Sequence, residues 1–168
     1  MNKKLVCLLT ILGSIIFFAL ACADKDACKD VDCGANGTCI DGVCDCIDGY
    51  EGAACAEEWA QKFLGEYEGF DVCPSGTIPL NKPVKITRIS ATEVQLFNLG
   101  SFQSTLIATV KLATAASTKA EDLSFDDTDT QGRKFVGSAT ISGSKITGSY
   151  IVTYTNGISE NCTFEYEK

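Results

Sequence analysis

The residues of this chain best suited to chemistry are its cysteines: ten stand in 168 residues that contain no histidine. Thiols pair as disulfides, ligate metals, attack as nucleophiles or carry lipid, and spacing separates these roles. Six fall between Cys28 and Cys55, as C-KDVD-C-GANGT-C-IDGV-C-D-C-IDGYEGAA-C. So short a stretch has too few apolar residues to build a core, and coreless segments of this size are held by disulfides. Zinc ribbons take their thiolates from two C-x-x-C pairs, and the sequence has none. Among the many pairings that six cysteines permit, sequence alone does not choose.

Carboxylates are the other candidates. Asp122, Asp126, Asp127 and Asp129 lie close in sequence, and Asp127-Thr128-Asp129-Thr130-Gln131-Gly132 resembles the opening of an EF-hand loop. Position twelve would be Ser138, where calcium needs a bidentate Glu, so the segment reads as a solvated hairpin loop. Glu66, Glu68 and Asp71 could supply a carboxylate pair for glycoside cleavage, yet nothing in the sequence marks them as buried. The missing histidine removes the commonest general base. The expectation is therefore a protein that is not an enzyme and carries no cofactor.

Charge narrows the partners. Counting from Cys22, 22 acids face 12 bases (14 less Lys3 and Lys4), a net of −10. Residues 23–58 hold ten acids against Lys25 and Lys29, a net of −8, so this part reads as an acidic stalk. Residues 59–168 hold twelve acids against ten bases, a net of −2. Neither part offers the basic patch that nucleic acid requires.

The elements that must position these residues begin with delivery. Residues 1–21 place Lys3 and Lys4 before an apolar run from Leu5 to Leu20, the pattern of a secretory signal peptide. The run is short for a bilayer-spanning helix, which needs about 20 residues. Its end, Phe18-Ala19-Leu20-Ala21-Cys22, resembles a bacterial lipobox, with Ala19 where leucine is commonest. That resemblance implies cleavage before Cys22 and a lipid on its sulfur; ordinary cleavage after Ala21 or Ala23 is the rival. Parity favours the lipid. Removing the signal removes Cys7, six cysteines belong to the knot, and Cys73 and Cys162 remain to pair, which leaves Cys22.

Residues 28–56 then form the knot. Cys44-Asp45-Cys46-Ile47-Asp48-Gly49-Tyr50-Glu51-Gly52-Ala53-Ala54-Cys55 matches the C-x-C-x-x-G-Y-x-G-x-x-C ending of epidermal growth factor (EGF)-like domains, and the short gap I-D-G-V resembles the tenascin-type subset. The family resemblance implies the pairing Cys28–Cys39, Cys33–Cys44 and Cys46–Cys55. Calcium-binding relatives carry acidic residues before the first cysteine, which makes Asp24, Asp26 and Asp41 the candidate calcium ligands. The third-to-fourth cysteine gap is too short for the rest of that site. Residues 22–27 would be the lipid anchor and an acidic tether, similar to the charged segment that follows the cysteine in surface lipoproteins of Bacteroidota.

Residues 57–168 read as one β domain. Trp59 and Phe63, four apart, with Ala60 and Leu64, make Glu57–Leu64 the one helical stretch, ended by Gly65. Beyond it, period two predicts strands near Glu66–Cys73, Pro83–Ile89, Glu93–Leu99, Thr105–Leu112, Leu123–Asp126, Lys134–Ile141, Lys145–Thr155 and Ile158–Glu167. Gly143-Ser144 suits a type II′ hairpin and Asn156-Gly157 a type I′ hairpin. Cys162, Phe164 and Tyr166 then share the core face, opposite Glu165 and Glu167. A Cys73–Cys162 bond needs first and last strands within about 7 Å, as in an eight-stranded antiparallel up-and-down barrel, although a sandwich also allows it. Helix-then-GEYEG resembles the entry of lipocalin-like small barrels, in which Trp59 or Phe63 would plug the floor.

These readings give an outer-membrane lipoprotein, lipid-anchored and facing the cell surface or the periplasm, that binds a protein or glycan. A lipocalin-like carrier of a small apolar ligand is the alternative, and a periplasmic enzyme inhibitor a third. A carrier needs a hollow of a few hundred Å³, and the inward Leu, Val, Phe, Ile and Tyr are expected to fill it instead. The delivery reading has its own test. Cys22→Ser should leave the precursor uncleaved by the lipoprotein peptidase and unlabelled by palmitate, and normal processing of that variant beside an unlabelled wild type would end it.

Overall fold

The computed structural model describes residues 27–112 and 119–168. In the cysteine-rich part, β1 (Gly37–Ile40) and β2 (Val43–Cys46) form a hairpin, and β3 (Tyr50–Glu51) pairs with β4 (Glu57–Glu58). The β3–β4 pair therefore spans the 56/57 boundary read from the sequence. Nine further strands follow: β5 (Gly65–Cys73), β6 (Gly76–Pro79), β7 (Val84–Arg88), β8 (Glu93–Phe97), β9 (Thr105–Leu112), β10 (Ala120–Thr128), β11 (Lys134–Ser142), β12 (Lys145–Thr153) and β13 (Ser159–Glu167). All pairings are antiparallel: β5 pairs with both β6 and β7, each strand from β7 to β12 pairs with the next, and β13 returns to pair with β5. That pairing closes an eight-stranded barrel from β5 and β7–β13 and excludes the two-sheet sandwich.

Four features depart from the sequence reading. The short β6 was not anticipated; it lies beside Phe70–Cys73 of β5, while Gly65–Tyr67 of the same strand pair with β7. The strand expected at Leu123–Asp126 runs from Ala120 to Thr128, with a bulge between Ala120 and Asp122. An inserted residue shifts the alternation, which is why Ala120 and Leu123, three apart, are both buried. The expected helix at Glu57–Leu64 is a 3₁₀ helix of only Trp59–Phe63, preceded by β4 and followed by extended Leu64. Five residues are too few to sustain an α-helical ladder, and tertiary contacts fix the segment instead.

The turns divide similarly. Gly143, at φ +62, opens a two-residue link between paired Ser142 and Lys145, and Ser144 keeps a negative φ, as type II′ requires. The second link is longer than type I′. Tyr154 N–H donates to Ile158 O at 2.8 Å and only Gly157 is left-handed, at φ +82. Asn156 instead keeps a negative φ, and its Oδ1 accepts the Ile158 N–H at 3.0 Å.

Alternation fills the interior. Tyr67, Val94, Leu106, Phe135 and Val152 have 0% of their surface accessible, and the last strand reads Cys162, Phe164, Tyr166 inward with Glu165 and Glu167 outward. Two inward glycines make room for rings. A Cβ at Gly137 or Gly148 would stand 2.6 Å from Cζ of Phe125 or Phe164 respectively. Large and small residues thus interlock across the strands of a small barrel.

Closure carries a covalent bond. The β5–β13 register pairs Val72 with Thr163, so Cys73 and Cys162 stand opposite one another next along the strands. They are joined as a disulfide with Cα atoms 4.3 Å apart. Changing both to alanine should lower the denaturation midpoint and cost about 4 kcal/mol in the chain-entropy model. The unfolded chain should then expose more surface, seen as a larger denaturant slope. An unchanged midpoint would show that hydrogen bonding alone closes the barrel.

Candidate binding face

The two ends of the barrel are built differently. One end carries the β7–β8 and β11–β12 connections, and Trp59–Phe63 packs into it with Trp59, Ala60 and Phe63 buried. The plug expected from Trp59 or Phe63 is made by both. Backbone bonds hold it: Ala60 N–H donates to Ala91 O at 3.1 Å, and Trp59 N–H to Gly49 O at 2.9 Å. The Trp59 indole donates to Tyr50 O, also at 2.9 Å.

These bonds draw the cysteine-rich segment onto the same end. The segment contains the disulfides Cys28–Cys39, Cys33–Cys44 and Cys46–Cys55. Its Glu51 is 4% exposed, receives Lys62 Nζ at 2.6 Å and accepts the Ala120 N–H at 2.9 Å. Glu58 meets Arg88 at 2.6 Å across the same junction, and the guanidinium holds the Glu58 carboxyl below its ordinary value. Two carboxylates of the acidic segment, Glu51 and Glu58, are thus anchored on residues of the following domain.

The other end is formed by loops 98–104, 129–133 and 154–158. Loop 98–104 turns inward, burying Asn98 and Leu99. The Asn98 amide donates to Lys82 O at 2.7 Å and its Oδ1 accepts the Gln103 N–H at 3.1 Å. Above the buried layer, the Arg133 guanidinium lies 4.7 Å from the centre of the Phe102 ring, which packs edge-to-face with Phe135, their centres 5.2 Å apart. Tyr154, half-buried beside Phe102, donates its hydroxyl to Glu160 at 3.0 Å. Half-buried aromatic faces ringed by a guanidinium and a carboxylate can stack and hydrogen-bond, the chemistry of a recognition surface.

The carboxylates singled out in the sequence scatter. Asp126 is exposed beside Lys134, and Asp122 accepts the Thr140 hydroxyl. Asp127 accepts the Ile107 N–H at 2.8 Å. Asp129 is not solvated, which corrects the reading of this loop. Its carboxylate accepts the N–H groups of Gln131 and Arg133 and the Arg133 Nε at 2.7 Å. Burial works to raise this carboxyl, but Arg133 and those N–H groups outweigh it and hold it below its ordinary value. Ser138 lies mid-strand in β11, opposite Ser124 and Ser149.

Glu66 pairs with Lys85 at the surface, whereas Asp71 is fully buried. Sequence reasoning missed that, although Asp71 shares the parity of Tyr67 and Cys73. Asp41, at φ +50, begins the exposed β1–β2 turn. Cys22, Asp24, Asp26 and the signal segment lie outside the described residues. Among the described residues, no three metal-capable side chains gather.

Residues 28–58 match the family model of the teneurin-like EGF domain. None of the curated proteins matches the chain. Among solved structures, similarity is found to a crystal structure assigned provisionally as an outer membrane protein of Bacteroides fragilis NCTC 9343, at 18% identity and a TM-score of 0.43. The match covers 67% of this chain and 54% of that one, so the chain spans about half the length of that structure.

The buried ion pair sets a stability test. Asp129→Asn should cost about 2 kcal/mol, the worth of hydrogen bonds to a charged group, read as an earlier urea midpoint. Because the folded carboxyl titrates below its unfolded value, its contribution is present above about pH 4. It fades as pH falls through the lowered folded value. The variant should lack that acid-side loss, and identical acid profiles would show that the pair contributes nothing.

Proposed function

We propose that this chain is a membrane-anchored, cell-surface lipoprotein whose barrel is a non-enzymatic binding or adhesion module for a protein or glycan. The observation that carries this reading is the filled interior. A hollow able to hold a ligand would leave accessible surface on the residues around it, yet Tyr67, Leu106, Phe135 and Val152 have none. Recognition then falls to the outside, and the packing argues against an apolar carrier.

Two further features support it. The barrel's outward face bears Glu66, Lys85, Asp126, Lys134, Lys145 and Glu165 in ion pairs. A membrane-spanning barrel turns an apolar band outward, so attachment here would rest on lipid at Cys22 rather than on strands. The cysteine-rich segment follows Cys22 and sits on the Trp59–Phe63 end. Loops 98–104, 129–133 and 154–158 are left to meet a partner.

Binding should be visible on arrays of extracellular proteins and glycans. Tyr154→Ala should weaken it about tenfold, the loss of roughly 1.4 kcal/mol, without changing the fold. Fatty acids should leave the melting temperature unmoved. Saturable stabilisation by one of them, worth about 2.7 kcal/mol at a hundred times its dissociation constant, would make this a carrier.

A further inference from the structure

One carboxyl inside the barrel is matched by no cation. Asp71 projects inward from β5 and is 0% exposed. Its Oδ1 accepts the Tyr166 hydroxyl at 2.8 Å, and its Oδ2 has no hydrogen-bond partner among the described residues. The titratable groups that face it are Tyr166 from β13 and Tyr150 from β12, with Glu160 acting in turn on Tyr150. No lysine or arginine acts on it among the described residues. A buried orphan oxygen of this kind needs an explanation.

The loop above supplies one. Gly100 N–H donates to the Tyr166 oxygen at 3.3 Å, so the order of bonds is Gly100 N–H to Tyr166 O–H to Asp71 Oδ1. Loop 98–104 is thus fastened to the buried carboxyl by one hydroxyl. Its backbone is also under strain: Asn98, Ser101 and Gln103 take φ values of +71, +64 and +53, which side chains beyond glycine rarely adopt. Gly100 fits closely, since a Cβ there would collide with the Tyr150 hydroxyl.

We infer that loop 98–104 is a proton-operated plug, fastened while the Asp71 carboxyl holds a proton and released when that proton leaves. A neutral carboxyl tolerates this interior. An ionised one strengthens the Tyr166 bond, but its Oδ2 is left with no donor within hydrogen-bonding distance and no counter-ion, a cost that outweighs the gain, and it must find water. Lifting the loop admits water from the barrel end directly above. The plug depends on the fold alone and stands whether or not the binding face takes a glycan or a protein.

The direction of the pH response follows. Burial raises the Asp71 carboxyl from its ordinary value of 3.8, and the nearby hydroxyls of Tyr166 and Tyr150 offset this only in part. An open loop would return it to the ordinary value. Closure is therefore fully favoured below that value and weakens as pH rises through the closed-state value, by up to about tenfold per pH unit.

Hydrogen exchange on the full chain tests this at the amides of Asn98 and Gly100. After the base-catalysed rise common to all amides is removed, opening should increase with pH in the wild type. In Asp71→Asn it should be flat and low, and Gly100→Ala should open the loop at every pH. Equal pH slopes in wild type and Asp71→Asn would overturn the plug. If Asp71→Asn does not fold, carbon-13 titration of the wild-type carboxyl decides: an ionised Asp71 beneath a protected loop refutes the proposal, and a neutral one supports it.

Discussion

The pairing of β13 with β5 is the constraint on which the rest depends. Strands that end at an open edge leave a row of unpaired backbone groups. Here the edges of the first and last strands satisfy each other from Glu68–Glu167 to Val72–Thr163, and Cys73–Cys162 continues the row as a covalent bond. Closure fixes which residues point inward on all eight strands, because a slip of one residue would turn every side chain to the other face. The interior is then a single layered core. Gly137 and Gly148 set its depth by admitting the rings of Phe125 and Phe164.

A closed barrel still has two ends, and each is sealed by a different physical device. The Trp59–Phe63 end is sealed with apolar surface, helped by backbone bonds to Gly49 and Ala91. The opposite end is sealed by a loop that buries Leu99 but is also fastened by hydrogen bonds over a buried carboxyl. Apolar seals respond little to proton concentration; a seal that ends on Asp71 inherits its titration. The asymmetry also sorts the surroundings. The acidic, disulfide-rich segment occupies the apolar-sealed end through Glu51, Lys62 and the Ala120 N–H, and among the described residues the other end is not covered by it.

Much of this was legible in the sequence, for reasons that are local. Alternation at Cys162, Phe164 and Tyr166 against Glu165 and Glu167 gives both the strand and its inward face. The type II′ link at Gly143-Ser144 needs only one left-handed glycine. What escaped depends on partners distant in the chain or on an exception to a habit. Carboxylates default to solvent, so Asp71 was not read as buried despite its parity with Tyr67. The Asp127–Gly132 loop looked solvated because the value of Asp129 lies in Arg133 folding back over it. Glu51 finds Lys62 and the Ala120 N–H only after the barrel has formed. The bulge after Ala120 reverses the alternation with no residue type to announce it.

The position of Cys73 has a mechanical consequence. Were the chain held at its N-terminus and pulled by its far loops, tension would run along β5, the strand by which it enters the barrel. Load directed along a strand is shared by many transverse hydrogen bonds at once, whereas a peeling force meets them singly. Because Cys73 lies at the far end of β5 and is joined to Cys162, the covalent path from the entry point leads across to β13. If the hydrogen bonds of β5 gave way, force would pass through sulfur to the last strand. The tether would slacken the barrel without freeing it.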